Sequence, residues 1–261
     1  MSFGFTYLGV VPVRNEAKSS AEQINQLLFA DVVTIVDQWC GDNKITNAWL
    51  KIRNCYDGYE GWVDKRNVLI LENQIPPQYK YIVCSTIAKI RMNEEIITVP
   101  MAAVLPDKTF SLNNYKFSLL EGSVISIEKC NHLLIRAISL LYLNTPYQWG
   151  GKSIFGLDCS GFTQNVFKFA GVKLQRDAWQ QALQGKNINI DDIKVGDLCF
   201  FGNNQGQINH VGIYIGNNKI IHCSGRVRID TMDDNGIKVE NNENVYSHHL
   251  CAIKNYDTIK N

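Results

Sequence analysis

The sequence predicts an α+β chain in which one or two small β-barrels precede a larger domain of mixed helix and strand. Three observations point there. Short runs with period-two character crowd the first half, a helical pattern opens near residue 131, and a cysteine heading a second helical pattern is followed by a strand hairpin that carries two histidines. With 261 residues, 45% of them hydrophobic, the chain can bury real cores. Lys and Arg total 26 against 25 Asp and Glu without long blocks of one sign, which argues against capture of nucleic acid or of an anionic membrane surface.

Residues 7–13, 31–37, 48–53 and 60–63 read as strands separated by turn-rich segments such as Asp57-Gly58, and together suit a small barrel over 1–70. After Pro76-Pro77, residues 80–88, 96–105 and 118–127 read as further strands, a second and divergent barrel over 71–128. Residues 131–143, apolar at Leu134, Ile138 and Leu141, open the last domain, 129–261, as a helix that ends before Pro146. No stretch reaches the apolar length of a membrane helix, so no membrane insertion is expected. Residues 1–13 lack a basic start and a small-residue cleavage site, and the eight cysteines form no disulfide-like framework. Both features predict a cytoplasmic protein, or a periplasmic or extracellular one if an export signal has been removed.

The chemistry concentrates at Leu157-Asp158-Cys159-Ser160-Gly161. The segment that follows is apolar at helical spacing and closes on Gly171, a residue suited to the C′ position, which puts Cys159 in a first helical turn with Asp158 as N-cap. There the unpaired N–H groups favour thiolate, the attacking form. Residues 195–201 read as a strand, and 210–215, Gly216-Asn217-Asn218 and 219–223 as a hairpin. A three-residue loop pairs Ile215 with Lys219 and sets Gly212 opposite His222, so His210 and His222 share a face. Val211, Ile213, Ile215, Ile221 and Cys223 take the other face, which must be buried. His210 is then the base, forming an ion pair with Cys159, and His222 orients it. The Cys159 N–H and the Tyr147 phenol are candidate oxyanion donors.

An isolated cysteine is ordinarily a small buried hydrophobe, and that is expected of Cys40, Cys55, Cys84, Cys130, Cys199, Cys223 and Cys251. His222-Cys223 and His248-His249-x-Cys251 offer soft ligands, but no C-x-x-C or H-E-x-x-H spacing accompanies them, so neither a metal nor a cofactor is expected.

Pro146-Tyr147-Gln148-Trp149-Gly150-Gly151, Asp158-Cys-Ser-Gly161, Arg176-Asp177-Ala178, Gly196-Asp197-Leu198-Cys199-Phe200-Phe201, His210-Val-Gly-Ile-Tyr214 and Ile221-His222 resemble the successive motifs of NlpC-type cysteine peptidases. Ala48-Trp49-Leu50-Lys51-Ile52 with Asp57-Gly58-Tyr59-Glu60-Gly61-Trp62-Val63 resembles bacterial SH3-like domains. The resemblance implies a papain-like core, a triad of Cys159, His210 and His222, and a murein peptide as substrate. It also implies cleavage between γ-D-glutamate and diaminopimelate or lysine, in peptides with a free N-terminal L-alanine. An ammonium must then be held by carboxylates and hydroxyls. By the same resemblance, Asp158, Ser160, Glu22 and Tyr59 are the candidate substrate-binding residues. Ala178 stands where the family pattern has serine, which removes one acceptor. Two alternatives remain open: an exported autolysin acting on intact peptidoglycan stems, and a non-catalytic module that binds wall peptides.

Overall fold

A computed structural model describes residues 2–40, 48–71, 76–127, 131–203, 205–240 and 242–256. The chain divides into two compact units, Met1–Lys129 with Trp149–Ile154, and Cys130–Gln148 with Phe155–Asn261.

In the first unit seven strands form a sheet in the order Gln23–Leu28, Val10–Arg14, Glu60–Asp64, Ala48–Asn54, Val32–Cys40, Phe3–Thr6, Val68–Leu71. Its core is the alternate set Val11, Val13, Leu27, Val33, Leu50, Ile52, Val63 and Val68. Gly61 has to be glycine, since a Cβ there would lie 2.4 Å from Val13 Cγ1. Four of these strands match the expected runs. The segment Gln23–Leu28 escaped because its Asn25 and Gln26 are buried polar residues, at 1% and 6% exposure, and polarity disguised the strand.

Residues 76–127 build a four-stranded sheet, Glu95–Pro100, Ile87–Met92, Tyr115–Glu121, Thr109–Leu112, and a three-stranded one, Val104–Leu105, Tyr81–Val83, Val124–Ser126. The expected runs 96–105 and 118–127 are each broken by a positive-φ residue, Ala102 at 69° and Gly122 at 104°. These sheets share one core with the seven-stranded sheet: Phe117 meets Phe5 at 5.9 Å, Phe29 at 6.0 Å and stacks on Phe110 at 4.7 Å between centroids. Both sheet systems thus belong to one compact unit. Trp149–Ile154 joins the first unit through side-chain amides, Gln23 Nε2 donating to Trp149 O at 3.0 Å and Gln26 Oε1 accepting from Lys152 N at 2.8 Å.

The second unit contains helices α1 (Leu134–Leu141), α2 (Cys159–Lys168) and α3 (Ala178–Ala182). Its strands are β1 (Leu198–Gly202), β2 (Ile208–Gly216), β3 (Lys219–Ser224), β4 (Arg226–Asp233), β5 (Gly236–Val239) and β6 (Asn242–Asn255), with the short edge strand Lys186–Asn187 beside β6. The order is β6-β1-β2-β3-β4-β5, and β5 pairs back to β6, closing a six-stranded barrel. Every strand contributes to the interior cluster of Cys199, Phe201, Tyr214, Ile220, Met232, Ile237 and Ile253. The first strand starts later than expected because Gly196, at φ 100°, belongs to a turn and Val195 is exposed.

The β2–β3 hairpin keeps the expected Gly212–His222 pairing by a different route. Its turn has two residues, Asn217 and Asn218 at φ 54° and 55°, the signs a type I′ turn requires. Gly216 pairs with Lys219, and a bulge around Ile215 restores the register that a three-residue loop would have produced. Both faces are buried, not one. The histidines share the barrel-interior face, while Val211, Ile213, Ile221 and Cys223 are fully buried on the other, where α2 packs against β2 and β3.

The cysteines divide by location. Cys199 and Cys223 are buried as expected, but Cys55 and Cys251 are exposed and Cys84 is half-buried, because each lies in or beside a strand at a position that faces outward. Cys130 and the side chain of Cys40 lie outside the described residues.

Candidate active site

Helix α2 begins where the sequence places it. Asp158, in extended conformation, accepts the Gly161 N–H at 2.7 Å as N-cap, and Cys159 is the first helical residue. The helix ends as a Schellman motif: Val172 N–H reaches Phe167 O at 3.0 Å, Gly171 N–H reaches Lys168 O at 3.2 Å, and Gly171 takes φ 73°. All ten residues of α2 are buried. Of its polar side chains, Thr163 Oγ1 donates to Gln181 Oε1 at 2.7 Å and Gln164 Nε2 to Leu174 O at 3.0 Å.

Asp158 does more than cap. Arg176, 1% exposed, grips it with two bonds, Nη2 to Oδ2 at 2.6 Å and Nη1 to Oδ1 at 3.0 Å, and Nη1 also donates to Ser160 Oγ at 2.9 Å. The two expected substrate ligands flanking the nucleophile are thus engaged with a buried guanidinium, a partner the sequence reading did not assign. Ala178, buried, opens α3. Glu22, exposed, and Tyr59, half-buried after the Gly58 turn, lie in the first compact unit, whereas Cys159 lies in the second.

Cys159 is 8% exposed, and the nearby Val211 and Ser160 N–H groups favour its charged form. Val211 follows the expected base His210 on β2. Among the described residues, no hydrogen bond joins the thiol to either imidazole. Burial, with the Asp158 charge second, pushes the thiol up to about 12. Burial, then His222, His248 and Arg228, holds His210 well below its ordinary value. The expected resting ion pair is therefore disfavoured: exclusion of water costs both charged forms more than the helix terminus returns.

His210 and His222 do meet. His210 Nε2 lies 2.7 Å from His222 Nδ1, with the rings edge to face at 83°. Two features were missed by sequence. His222 Nε2 lies 2.9 Å from Asp230 Oδ2 on β4, an oxygen that also accepts from Arg228 Nε at 2.8 Å. His248 on β6 stacks on His210, centroids 4.2 Å apart. The Ser224-Gly225 turn was the available signal for Asp230: continuing the hairpin one strand further pairs His222 with Arg228 and leaves Asp230 on the same face. His248 carried no such signal, because the strand that delivers it is placed by barrel closure.

Tyr147 is 39% exposed, its N–H bonded to Gly225 O at 2.9 Å. Burial, followed by the charges of Cys159 and Asp158, pushes its hydroxyl up to about 12, so it keeps its proton beside the thiol.

The buried imidazoles make stability depend on pH. His210 and His248 are both lowered by burial first, His248 from 6.5 to about 4. The unfolded chain therefore binds protons before the folded one, and the stabilisation, complete above pH 6.5, is lost as pH falls toward 4. Urea midpoints should drop steadily between pH 7 and pH 4.5; a level profile would contradict burial of neutral rings.

Comparison with known proteins bears on this arrangement. Residues 144–245 match the NlpC/P60 family and residues 9–68 the bacterial SH3 domain. The chain is 33% identical over 213 residues to the gamma-D-glutamyl-L-lysine dipeptidyl-peptidase of Bacillus subtilis, covering 76% of this chain and 69% of that one. It is 26% identical over 247 residues to dipeptidyl-peptidase 6 of Lysinibacillus sphaericus, covering 82% and 86%. The crystal structure of an NlpC/P60 family protein from Bacillus cereus superposes with a TM-score of 0.79 at 20% identity, covering 97% of this chain and 99% of that one, which is a likeness of fold.

Proposed function

Because the chain belongs to the NlpC/P60 family, we propose that it is a cysteine endopeptidase cutting between γ-D-glutamate and a diamino acid in cell-wall-derived peptides. One observation carries the chemistry: a thiol at a helix start lies near the N–H of Val211, the residue after His210, and His210 Nε2 is held by a second histidine. In this reading the fold is papain-like, with the nucleophile on a helix and the base on the barrel. In the same reading, residues 1–70 and 71–128 are two SH3-like barrels ahead of a catalytic domain over 129–261.

Cys159 Sγ attacks the γ-carbonyl carbon of D-glutamate while its proton passes to His210, so no isolated buried charge has to persist before attack. The carbonyl electron pair moves to oxygen, where the Cys159 N–H and the Tyr147 hydroxyl donate to it. His210 then returns the proton to the departing amine as the C–N bond breaks, leaving a thioester. Water, deprotonated by His210, hydrolyses that ester and regenerates the thiol. His222 holds the imidazole throughout.

The names of the two long relatives favour release of a dipeptide, and the first of them favours lysine as the leaving amine. Asp158 and Ser160 supply acceptors beside the thiol, but Arg176 offsets the Asp158 charge there and Ala178 supplies no hydroxyl. Preference for a free ammonium is accordingly modest. L-Ala-γ-D-Glu-L-Lys should exceed its N-acetyl form in kcat/KM by about tenfold, roughly 1.4 kcal/mol. Equal rates on the two peptides would remove the amine-recognition part and leave a general endopeptidase.

A further inference from the structure

We propose that Asp230 is a positioning residue of this site, selecting the ring tautomers of His222 and then His210 so that His210 presents an unprotonated Nδ1. The argument rests on the peptidase reading only for its consequence in turnover. The donors and acceptors themselves are fixed by geometry.

An ionised carboxylate can only accept, so His222 Nε2, 2.9 Å from Asp230 Oδ2, carries the hydrogen. With a single ring hydrogen, His222 then has its lone pair at Nδ1. Only a donor can face it, so His210 Nε2, 2.7 Å away, carries its own hydrogen. The lone pair of His210 is left at Nδ1, and among the described residues no group bonds that atom. Without Asp230, either histidine can hold its hydrogen at either nitrogen, and half of these arrangements put a proton where the base is needed.

Asp230 is equipped to stay ionised. Partial burial opposes ionisation, but the hydrogen bonds from His222 and Arg228 outweigh it and hold the carboxyl below its ordinary value. Its Oδ2 receives Arg228 through both Nε, at 2.8 Å, and Nη2, at 2.7 Å. With its side chain 15% exposed, it lines a cavity of about 620 Å³ together with Arg226, Arg228 and Lys238. From the other elements packed around the histidine pair, His248 of β6 stacks on His210 and lies edge-on to His222, and it does not bond the His222 Nε2.

The test is imidazole nitrogen NMR on the full chain at pH 7.5, combined with kinetics, for the wild type, Asp230→Ala and Asp230→Asn. The wild type should show both His210 and His222 as Nε2–H tautomers. Asp230→Ala should show mixed tautomers in both rings and a kcat lowered about 10- to 100-fold with KM unchanged, a smaller loss than the about 10⁴ caused when a directly bonded orienting group inverts the tautomer. Asparagine keeps an acceptor oxygen that Arg228 can hold in place, so Asp230→Asn should retain the wild-type tautomers and recover most of kcat. Wild-type tautomers in a folded Asp230→Ala protein would overturn the proposal. So would Nδ1–H at His210 in the wild type, or mixed tautomers in Asp230→Asn if the alanine variant does not fold. A wild type inactive on every peptide would end the peptidase reading but leave the spectra to decide the role of Asp230.

Discussion

Alanine in place of Cys159 should abolish peptide hydrolysis while the protein keeps its fold. The sulfur is the only protein atom that bonds covalently to substrate in the proposed cycle, and its hydroxyl neighbours on α2 are occupied, Ser160 by Arg176 and Thr163 by Gln181. Loss of a catalytic nucleophile costs about 10⁶ in kcat, with binding and oxyanion donors alone leaving about 10³ to 10⁴ over water. The structural cost is small. Cys159 is a small buried side chain without a disulfide, and Asp158 continues to cap the helix. The change in unfolding free energy should stay within about 1 kcal/mol. Chromatography of released lysine and a urea titration measure the two halves separately. Turnover retained in this variant would remove the mechanism.

The largest effect on stability should come from Arg176. Its guanidinium and the Asp158 carboxylate are 1% and 6% exposed, and they satisfy each other, the N-cap and Ser160 in one network. Removing one partner strands a buried charge, a penalty of about 3 to 5 kcal/mol. Arg176→Met, which keeps the apolar stem, should therefore lower the unfolding free energy by that amount. Adding Asp158→Asn should restore most of it, since asparagine caps a helix about as well as aspartate and carries no charge. A loss under about 0.5 kcal/mol in the single variant, the range of ordinary surface substitutions, would show that the pair is not desolvated as described. Since the same carboxylate seats the first turn of α2, activity should fall with stability in the single variant and return in the double one.

Local chemistry made much of the site readable. Asp158 as cap, Cys159 at the first helical position and Gly171 at the C′ position follow from residue type and spacing. The facing of His210 and His222 followed from the period of a strand, and survived a wrong loop length because the bulge around Ile215 offsets the shorter turn. Where polar residues are buried, pattern misleads: Gln23–Leu28 looks hydrophilic yet is a sheet strand, and Arg176, an arginine in a loop, turns out to be among the most enclosed side chains.

By itself, then, the chain determined what depends on neighbours within a helical turn or a hairpin: where Cys159 stands and which nitrogen-bearing rings pair. Tertiary structure alone decided what depends on residues brought together from distant strands. Closing β5 onto β6 sets His248 over His210, Arg176 reaches back to Asp158 from the far side of α2, and water is excluded until thiol and imidazole are both neutral. The physical reason is that a residue's dielectric surroundings are a property of everything packed around it, which no local pattern encodes.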